Sequence, residues 1–403
     1  MDLLDGVSLL SVARNGDECV LGRPDLGIFV EVPEPGVVFV EVLQAGGSVA
    51  DATTRASEAA GEAVDGEDFL ATLAEAGLLA GADGAAAPSA PDAGRRIRWL
   101  EGVSQDTARR LFGPVAWTGY ALAALGGIGV LLARPDLRPS YEDVWFLGDP
   151  VRSVLAYAPI GLAIAACHEA WHWLAGRAVG VPASFRVSYR GVFPVFETDL
   201  SQIVLVPRRR RYGPFVAGTA FDGCVLAAAL VLRLLYWEGL IGLPPTLDRL
   251  LGAVVFTQSV SMLWQAGAVF LRTDGYAVLA NALRCNDLYR ITWLTMKDRL
   301  ARLTRAEARE FADANPRDRS VARWFGICYL IGTVAMAWML VNLSLPALIA
   351  IGMWLVANLA ALSVWSVAFW ESILVTAYLG TVSALPAVLA VRERRLRRAG
   401  ALR

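Results

Sequence analysis

The chain is poor in histidine, lysine and paired cysteine. Its 403 residues contain two histidines, and one lysine, Lys297, stands against thirty-six arginines. The lack of lysine, together with heavy use of alanine, is typical of the bias of a GC-rich bacterial genome, so we expect a bacterial source. The five cysteines show no Cys-x-x-Cys spacing. This absence argues against a disulfide framework and against a thiolate zinc site.

The N-terminus also lacks the features of a secretory signal. Residues 1–5 carry two acids and no base, and no long apolar core follows them, so we expect the first domain to stay in the cytoplasm. Residues 1–94 hold seventeen acids and three bases, a net charge of −14, whereas the whole chain carries −1. Such acidity would repel nucleic-acid phosphates. It predicts either a solvated surface or a docking face for a basic partner, such as a basic leader peptide.

Long apolar runs, in contrast, are abundant. The chain is 56% hydrophobic, with a mean hydropathy of +0.47, which predicts a mostly α-helical, polytopic membrane protein in contact with lipid. The first four predicted spans are Phe112–Ala133, Ser153–Ala178, Gly213–Trp237 and Leu250–Leu271. The apolar stretch Trp324–Val391, with a turn predicted at Pro346, suits three more. These segments add up to seven spans. The basic tail after residue 391 favours the cytoplasmic side, however, and this requires an even number of spans. We therefore expect six to seven spans.

The loop charges predict an orientation for these spans. Residues 179–212 include the run Arg208–Arg211, and residues 272–323 hold eleven bases. By the positive-inside rule both loops are cytoplasmic, and the predicted span Ser153–Ala178 runs from outside to inside. We therefore expect a multi-pass protein of the cell membrane. Its predicted parts are a domain over 1–80, a flexible and then basic linker over 81–111, a membrane domain over 112–391 and a basic tail over 392–403.

The region 7–80 predicts a small α+β domain. Strands are predicted at Val7–Ala13, Cys19–Gly22 and Gly27–Val32, and helices at Val49–Ala60 and Gly66–Leu79, while Pro35–Gln44 fits either type. The segments Gly-Ile-Phe-Val-Glu-Val-Pro, Gly-Gly-Ser-Val-Ala-Asp and Asp-Phe-Leu-Ala-Thr-Leu-Ala-Glu-Ala-Gly-Leu-Leu resemble the PqqD-like winged helix-turn-helix. This resemblance implies a domain that binds the leader peptide of a ribosomally made, modified precursor.

Both histidines lie in one motif inside an apolar run. The sequence His168-Glu169-Ala-Trp-His172 places two imidazoles at i and i+4 on one helical face, where both can bind one Zn²⁺. Glu169 then lies beside the open position of the metal and can act as a general base toward water. The alternative is a chance pair of packed histidines. Ionisable groups in an apolar run are costly and usually functional, which favours the metal site.

Two histidines leave such a site short of a ligand, and a carboxylate or a cysteine must supply it. Asp274, at the inner end of the fourth predicted span, is the best candidate, although an interfacial aspartate paired with Arg272 is the alternative. Asp222, within the third predicted span, is either an orienting partner of a histidine or a structural polar group. Gln265 is either a substrate contact or a helix–helix contact.

The pair His-Glu-Ala-Trp-His and Thr-Asp-Gly-Tyr resembles the site-2-protease group of intramembrane zinc peptidases, closest to its peptide-processing branch. This resemblance implies His168, His172 and Asp274 as zinc ligands and Glu169 as the general base. The Asn and Pro residues that many relatives carry before Asp-Gly are missing from residues 264–273. The chain also shows no room for a PDZ-like domain.

Together these patterns predict a zinc endopeptidase that cleaves a membrane-associated or leader-bearing precursor peptide, as in the maturation of a ribosomally made modified peptide. Two alternatives remain open. One is a regulatory site-2 protease that cuts a membrane-bound regulator, and the other is a non-catalytic membrane transporter or binding subunit.

Overall fold

The computed structural model describes residues 6–15, 18–24, 26–79, 103–181, 183–190, 193–378 and 380. The predicted tether, residues 95–102 of the basic juxtamembrane segment, the basic tail and the last apolar residues before it lie outside the described residues. The described part is mostly helical, with a three-stranded antiparallel sheet near its N-terminus and a second, two-stranded sheet.

The N-terminal sheet contains β1 (Ser11–Asn15), β2 (Glu18–Arg23) and β3 (Ile28–Val32) in that order. Leu21 on β2 lies opposite Val12 and Val30 in the register, so one face of the sheet is apolar. The prediction that β1 begins at Val7 was wrong. Val7 and Leu10 are buried and three residues apart, a helical spacing, and the Leu10 N–H donates to the Val7 carbonyl in a turn.

Three helices share a hydrophobic core with this sheet: α1 (Glu34–Gln44), which contacts β2, α2 (Val49–Ala60) and α3 (Gly66–Glu75). The segment Pro35–Gln44, whose sequence fitted either a helix or a strand, is therefore helical, and its buried Val37 and Val40 are one helical turn apart. Ser48 caps α2 through a reciprocal capping box with Asp51. α3 ends four residues before the predicted Leu79, because Gly77 adopts φ +78°.

The helices that follow are α4 (Gln105–Leu111), α5 (Pro114–Ala133), α6 (Pro150–Ala178), α7 (Arg208–Trp237) and α8 (Pro245–Gly267). Among the described residues, four helical segments are long and apolar enough to cross a membrane: Gln105–Ala133, Pro150–Ala178, Arg208–Trp237 and Pro316–Asn342. These segments match the first three predicted spans and part of the last apolar stretch. α8 occupies the fourth predicted span but is not among them.

The remaining helices are α9 (Asp274–Ala282), α10 (Leu288–Leu300), α11 (Arg305–Asp313), α12 (Pro316–Met339), α13 (Leu345–Ala360) and α14 (Val367–Tyr378). The prediction of a turn at Pro346 was wrong. A π-helical segment, Leu340–Ser344, joins α12 to α13, and Pro346 lies in the first turn of α13. A widened helical turn accommodates a residue without an N–H. The helical run ends instead just before Leu362, which has φ +45°.

α7 packs against α5, α6 and α8, so it occupies the centre of the helical region. The strands β4 (Ser184–Arg190) and β5 (Phe193–Asp199) form an antiparallel hairpin between α6 and α7 and contact α6. The N-terminal sheet lies against the 3₁₀ turn Ser201–Leu205 that follows this hairpin. There the Gln202 amide donates to the Pro24 carbonyl at 3.3 Å.

Candidate metal centre

Three ligand atoms from two distant parts of the chain converge between α6, α7 and α9. The Nε2 atoms of His168 and His172 are 3.2 Å apart. The Oδ2 atom of Asp274 lies 3.3 Å from the first and 3.1 Å from the second. Within the described residues, these three form the one group of histidine, cysteine or acidic side chains close enough to share a metal ion.

The spacing of the three atoms fits a zinc ion. Ligand atoms at zinc-bond length from one metal, in tetrahedral directions, are about 3.3–3.4 Å from one another. The observed triangle has sides of 3.1, 3.2 and 3.3 Å. Three atoms supply three of the four positions of a tetrahedral site, which is the pattern of a catalytic centre with one open position.

The other ring nitrogen of each histidine faces its own acceptor. His168 Nδ1 is 2.9 Å from Asp222 Oδ2, and His172 Nδ1 is 2.7 Å from the Pro214 carbonyl oxygen. A neutral ring therefore carries its proton on Nδ1 and leaves the Nε2 lone pair facing Asp274. Two lone pairs and a carboxylate oxygen this close repel one another unless a cation or a shared proton lies between them. The donor set thus suits a bound divalent cation.

One face of α7 is built to approach these rings. Pro214, Gly218 and Asp222 are spaced four residues apart, so they form one stripe on the helix. A Cβ placed on Gly218 would lie 2.4 Å from the Nε2 atoms of both histidines. This distance is close to a zinc–nitrogen bond length, so a side chain at Gly218 would fill the space in which the metal would lie.

The backbone before and after Asp274 explains how α9 reaches the site. Asp274 is the first residue of α9. A Cβ on Gly275 would lie 2.5 Å from the Gln265 carbonyl oxygen at the end of α8, so only glycine permits this approach. Arg272 adopts φ +57°, and its guanidinium stacks 4.2 Å above the Tyr289 ring. Arg272 makes this cation–π contact, and among the described residues Asp274 pairs with the two histidines rather than with Arg272.

The candidate general base is held by the hairpin. The backbone N–H of Thr198, in β5, donates to Glu169 Oε2 at 3.1 Å, and the Thr198 hydroxyl donates to the Glu169 carbonyl at 2.8 Å. Glu169 and His168 border the same cavity. The carboxylate is therefore fixed beside the histidines by a strand that the sequence motif does not include.

The structure places the other predicted residues clearly. Asp222 is 2% exposed and is bonded to His168. Of its two predicted roles, this contact fits the partner that orients a histidine. Gln265 borders the cavity next to Glu169. Sequence reasoning missed Thr198, Pro214 and Gly218. The Thr198 contact to the Glu169 carboxylate and the Pro214 contact to His172 are made by backbone atoms, and Gly218 matters because it has no side chain.

Comparisons with known proteins add no relative, because no family model, no curated protein and no solved structure matches this chain.

Proposed function

We propose that this protein is a zinc-dependent endopeptidase embedded in a membrane, with His168, His172 and Asp274 as ligands. The observation that carries the proposal is the convergence of these three ligand atoms within 3.3 Å of one another, with Glu169 as the neighbour of His168. Two of the ligands come from the His-Glu-x-x-His helix and the third from an Asp-Gly more than a hundred residues later. This is the arrangement that the resemblance to site-2 proteases implies.

Each nearby residue has a role in this proposal. Zinc, when bound, supplies a Lewis acid that polarises a peptide carbonyl and lowers the pKa of water. Glu169 accepts a proton from water and passes it to the departing amine. Asp222 and the Pro214 carbonyl hold the two imidazoles in the tautomer that presents Nε2. Thr198 holds the Glu169 carboxylate in place.

The membrane location is supported by composition and by the position of the site. Two of the three helices that carry the centre's residues, α6 and α7, are among those long and apolar enough to cross a bilayer. The basic loops favour a cytoplasmic position for the motif end of α6. We therefore propose a multi-pass membrane enzyme that acts near the cytoplasmic face, with its N-terminal domain in the cytoplasm.

The N-terminal domain supports a peptide substrate. Its PqqD-like resemblance and its net charge of −14 over residues 1–94 both suit capture of a basic leader peptide. The described sheet also contacts the turn that follows the hairpin holding Glu169, so a captured precursor would lie close to the metal centre. Maturation of such a precursor is the proposed role, and cleavage of a membrane-bound regulator is the alternative substrate.

The test compares cells that express the wild-type protein with cells that express Glu169→Gln. The amide matches the carboxylate in shape but cannot accept the proton, so cleavage should fall by about 10²–10⁴-fold while zinc stays bound. Mass spectrometry of new peptide termini in the membrane fraction measures cleavage without a known substrate. Termini that appear equally with both proteins, or with neither, would contradict the proposed peptidase.

A further inference from the structure

A cavity of about 340 Å³ lies beside Glu169, between α6 and α8. Its α6 wall contains the small residues Gly161 and Ala165, one helical turn apart, beside Leu162 and Ile164, and continues to His168 and Glu169. Tyr157 borders the other end. The twelve residues from Tyr157 to Glu169 span about 18 Å of helix. The cavity therefore runs from the metal centre into the apolar middle of α6.

The opposite wall is a polar stripe on α8. Thr257, Ser261 and Gln265 are spaced four residues apart, Gln258 lies next to the first, and all four border the cavity. These polar residues lower the hydropathy of α8, a helix of 23 residues that is nevertheless not among the four described candidate spans. These polar side chains of α8 thus face the cavity.

Most of this stripe lacks a partner. Thr257 is bonded to the Tyr157 hydroxyl. The side chains of Gln258, Ser261 and Gln265 form no hydrogen bond with any described residue, and Gln258 is only 4% exposed. A buried amide without a partner costs roughly 1–3 kcal/mol. Of the three, Gln258 is buried, whereas Ser261 and Gln265 are partly exposed to the cavity. A ligand in the cavity would supply hydrogen bonds to all three side chains.

The chemistry of the stripe defines that ligand. Each carboxamide has both donors and an acceptor, and the hydroxyl also donates and accepts. The α8 wall carries no charge, and the two acids that also border the cavity, Glu169 and Asp222, are already bonded to Thr198 and His168. The cavity therefore suits an uncharged ligand. An extended peptide main chain presents alternating N–H and C=O groups that match these side chains, whereas a helical segment has already satisfied its own.

We propose that this cavity binds the extended main chain of an uncharged, apolar peptide segment, with Gln258, Ser261 and Gln265 as its hydrogen-bond partners. The proposal deepens the proposed peptidase function, because it places the substrate segment that leads to the scissile bond inside the apolar region. The small residues Gly161 and Ala165 leave room for the side chains of that segment.

The experiment measures binding without cleavage, in the full-length Glu169→Gln protein. The probe is a blocked apolar tetrapeptide, acetyl-Ala-(photoleucine)-Ala-Leu-amide, and its control is the same peptide with N-methylated main-chain nitrogens. After irradiation, mass spectrometry quantifies adducts on cavity residues such as Leu162 and Ile164. The N-methylated peptide keeps the side chains but loses the N–H donors, so we expect it to give at least about tenfold less adduct.

Matched variants of α8 separate the stripe from general damage to the helix. We expect Gln258→Leu to lower the adduct yield about tenfold and Ser261→Ala about threefold, in keeping with about one net hydrogen bond each. Ser259→Ala is the control, because Ser259 also has an unpartnered hydroxyl but does not border the cavity. It should leave the yield unchanged, while Gln258→Asn should restore part of the loss.

Two results would overturn the proposal. One is the absence of adducts in the cavity, which would leave it as a space for water. The other is an equal yield from the methylated peptide or from Gln258→Leu. If the adducts follow the expected pattern but the wild-type protein produces no new termini in cells, the binding site stands and the proposed peptidase activity is rejected. New termini without such adducts would reject only the binding site.

Discussion

The metal centre and the N-terminal domain use polar groups in opposite ways. In the centre, His168, His172 and Asp222 are each no more than 6% exposed, and the Nδ1 atom of each histidine faces a specific acceptor. In the N-terminal domain, the ion pairs of Arg14 and Arg55 lie on the surface above an apolar core, while the buried Arg23 donates to the Leu78 carbonyl. There Arg14 contacts Glu34 and Glu41, all with side chains more than 40% exposed.

This difference determines what a substitution should do in each region. A buried polar group that loses its partner bears its full desolvation cost, because no water replaces the lost contact. A surface pair is solvated on both sides and contributes little. The centre should therefore respond sharply to single-atom changes, whereas the N-terminal domain should tolerate the loss of a whole ion pair.

The largest effect is expected from Gly218→Ala, which adds one methyl group. The new Cβ would lie 2.4 Å from both ligand nitrogens, so zinc binding should be lost while the helices stay folded. The control is Gly223→Ala on the same helix, whose Cβ would meet its neighbours at an ordinary 3.7 Å. Metal analysis of the purified proteins is the measurement, and zinc retained by Gly218→Ala would contradict the geometry of the centre.

A smaller effect is expected from Asp222→Asn. The amide oxygen can still accept from His168 Nδ1, but the negative charge that stabilises this ring is lost. Zinc affinity should fall by about 10–100-fold, as for other partners of metal-binding histidines. Competition with a chelating dye measures the affinity. An exposed aspartate, Asp298→Asn, is the control, and equal affinities for the two variants would make Asp222 a structural group only.

The smallest effect is expected from Arg14→Gln in the N-terminal domain. Hydrogen bonds from the Cys19 thiol and then from Arg14 lower the pKa of Glu34, and Arg14 likewise lowers the pKa of Glu41. Such depressed carboxyl pKa values stabilise the fold above the ordinary carboxyl pKa, and this contribution disappears as the pH falls through the folded values.

The loss in Arg14→Gln should therefore be under about 1 kcal/mol at pH 7 and should vanish in acid. Hydrogen exchange of the N-terminal domain within the full-length protein measures it at both pH values. A loss of several kcal/mol, or one that persists in acid, would mean that the two regions do not differ as described.

The sequence predicts well those features that depend on spacing along one helix. The i, i+4 histidines are local, and the apolar runs predicted three helices, close to their observed bounds, that are long and apolar enough to cross a membrane. Prediction from the sequence fails where packing against a neighbouring element determines the local structure. Val37 and Val40 belong to a helix because they pack on the sheet, and Pro346 continues a helix because a π-helical segment precedes it.

The candidate site follows the same division. Asp222 can be recognised as an unusual acid in an apolar run, but its choice of His168 depends on the packing of α7 against α6. Thr198 bonds the Glu169 carboxylate, and Pro214 bonds His172, through backbone atoms, which every residue has, so no sequence signal predicts these two contacts. Gly218 contributes by what it lacks, and this becomes visible only when both rings are in place.

Zinc content is the most direct test of the central claim, that His168, His172 and Asp274 form one metal site. Purified full-length protein should bind one zinc per chain. His168→Ala and His172→Ala should each lose it, since no other histidine exists to replace them, and Asp274→Asn should bind it more weakly. Zinc retained at one equivalent by both histidine variants, or unchanged affinity in Asp274→Asn, would contradict the account and place the metal or its third ligand elsewhere.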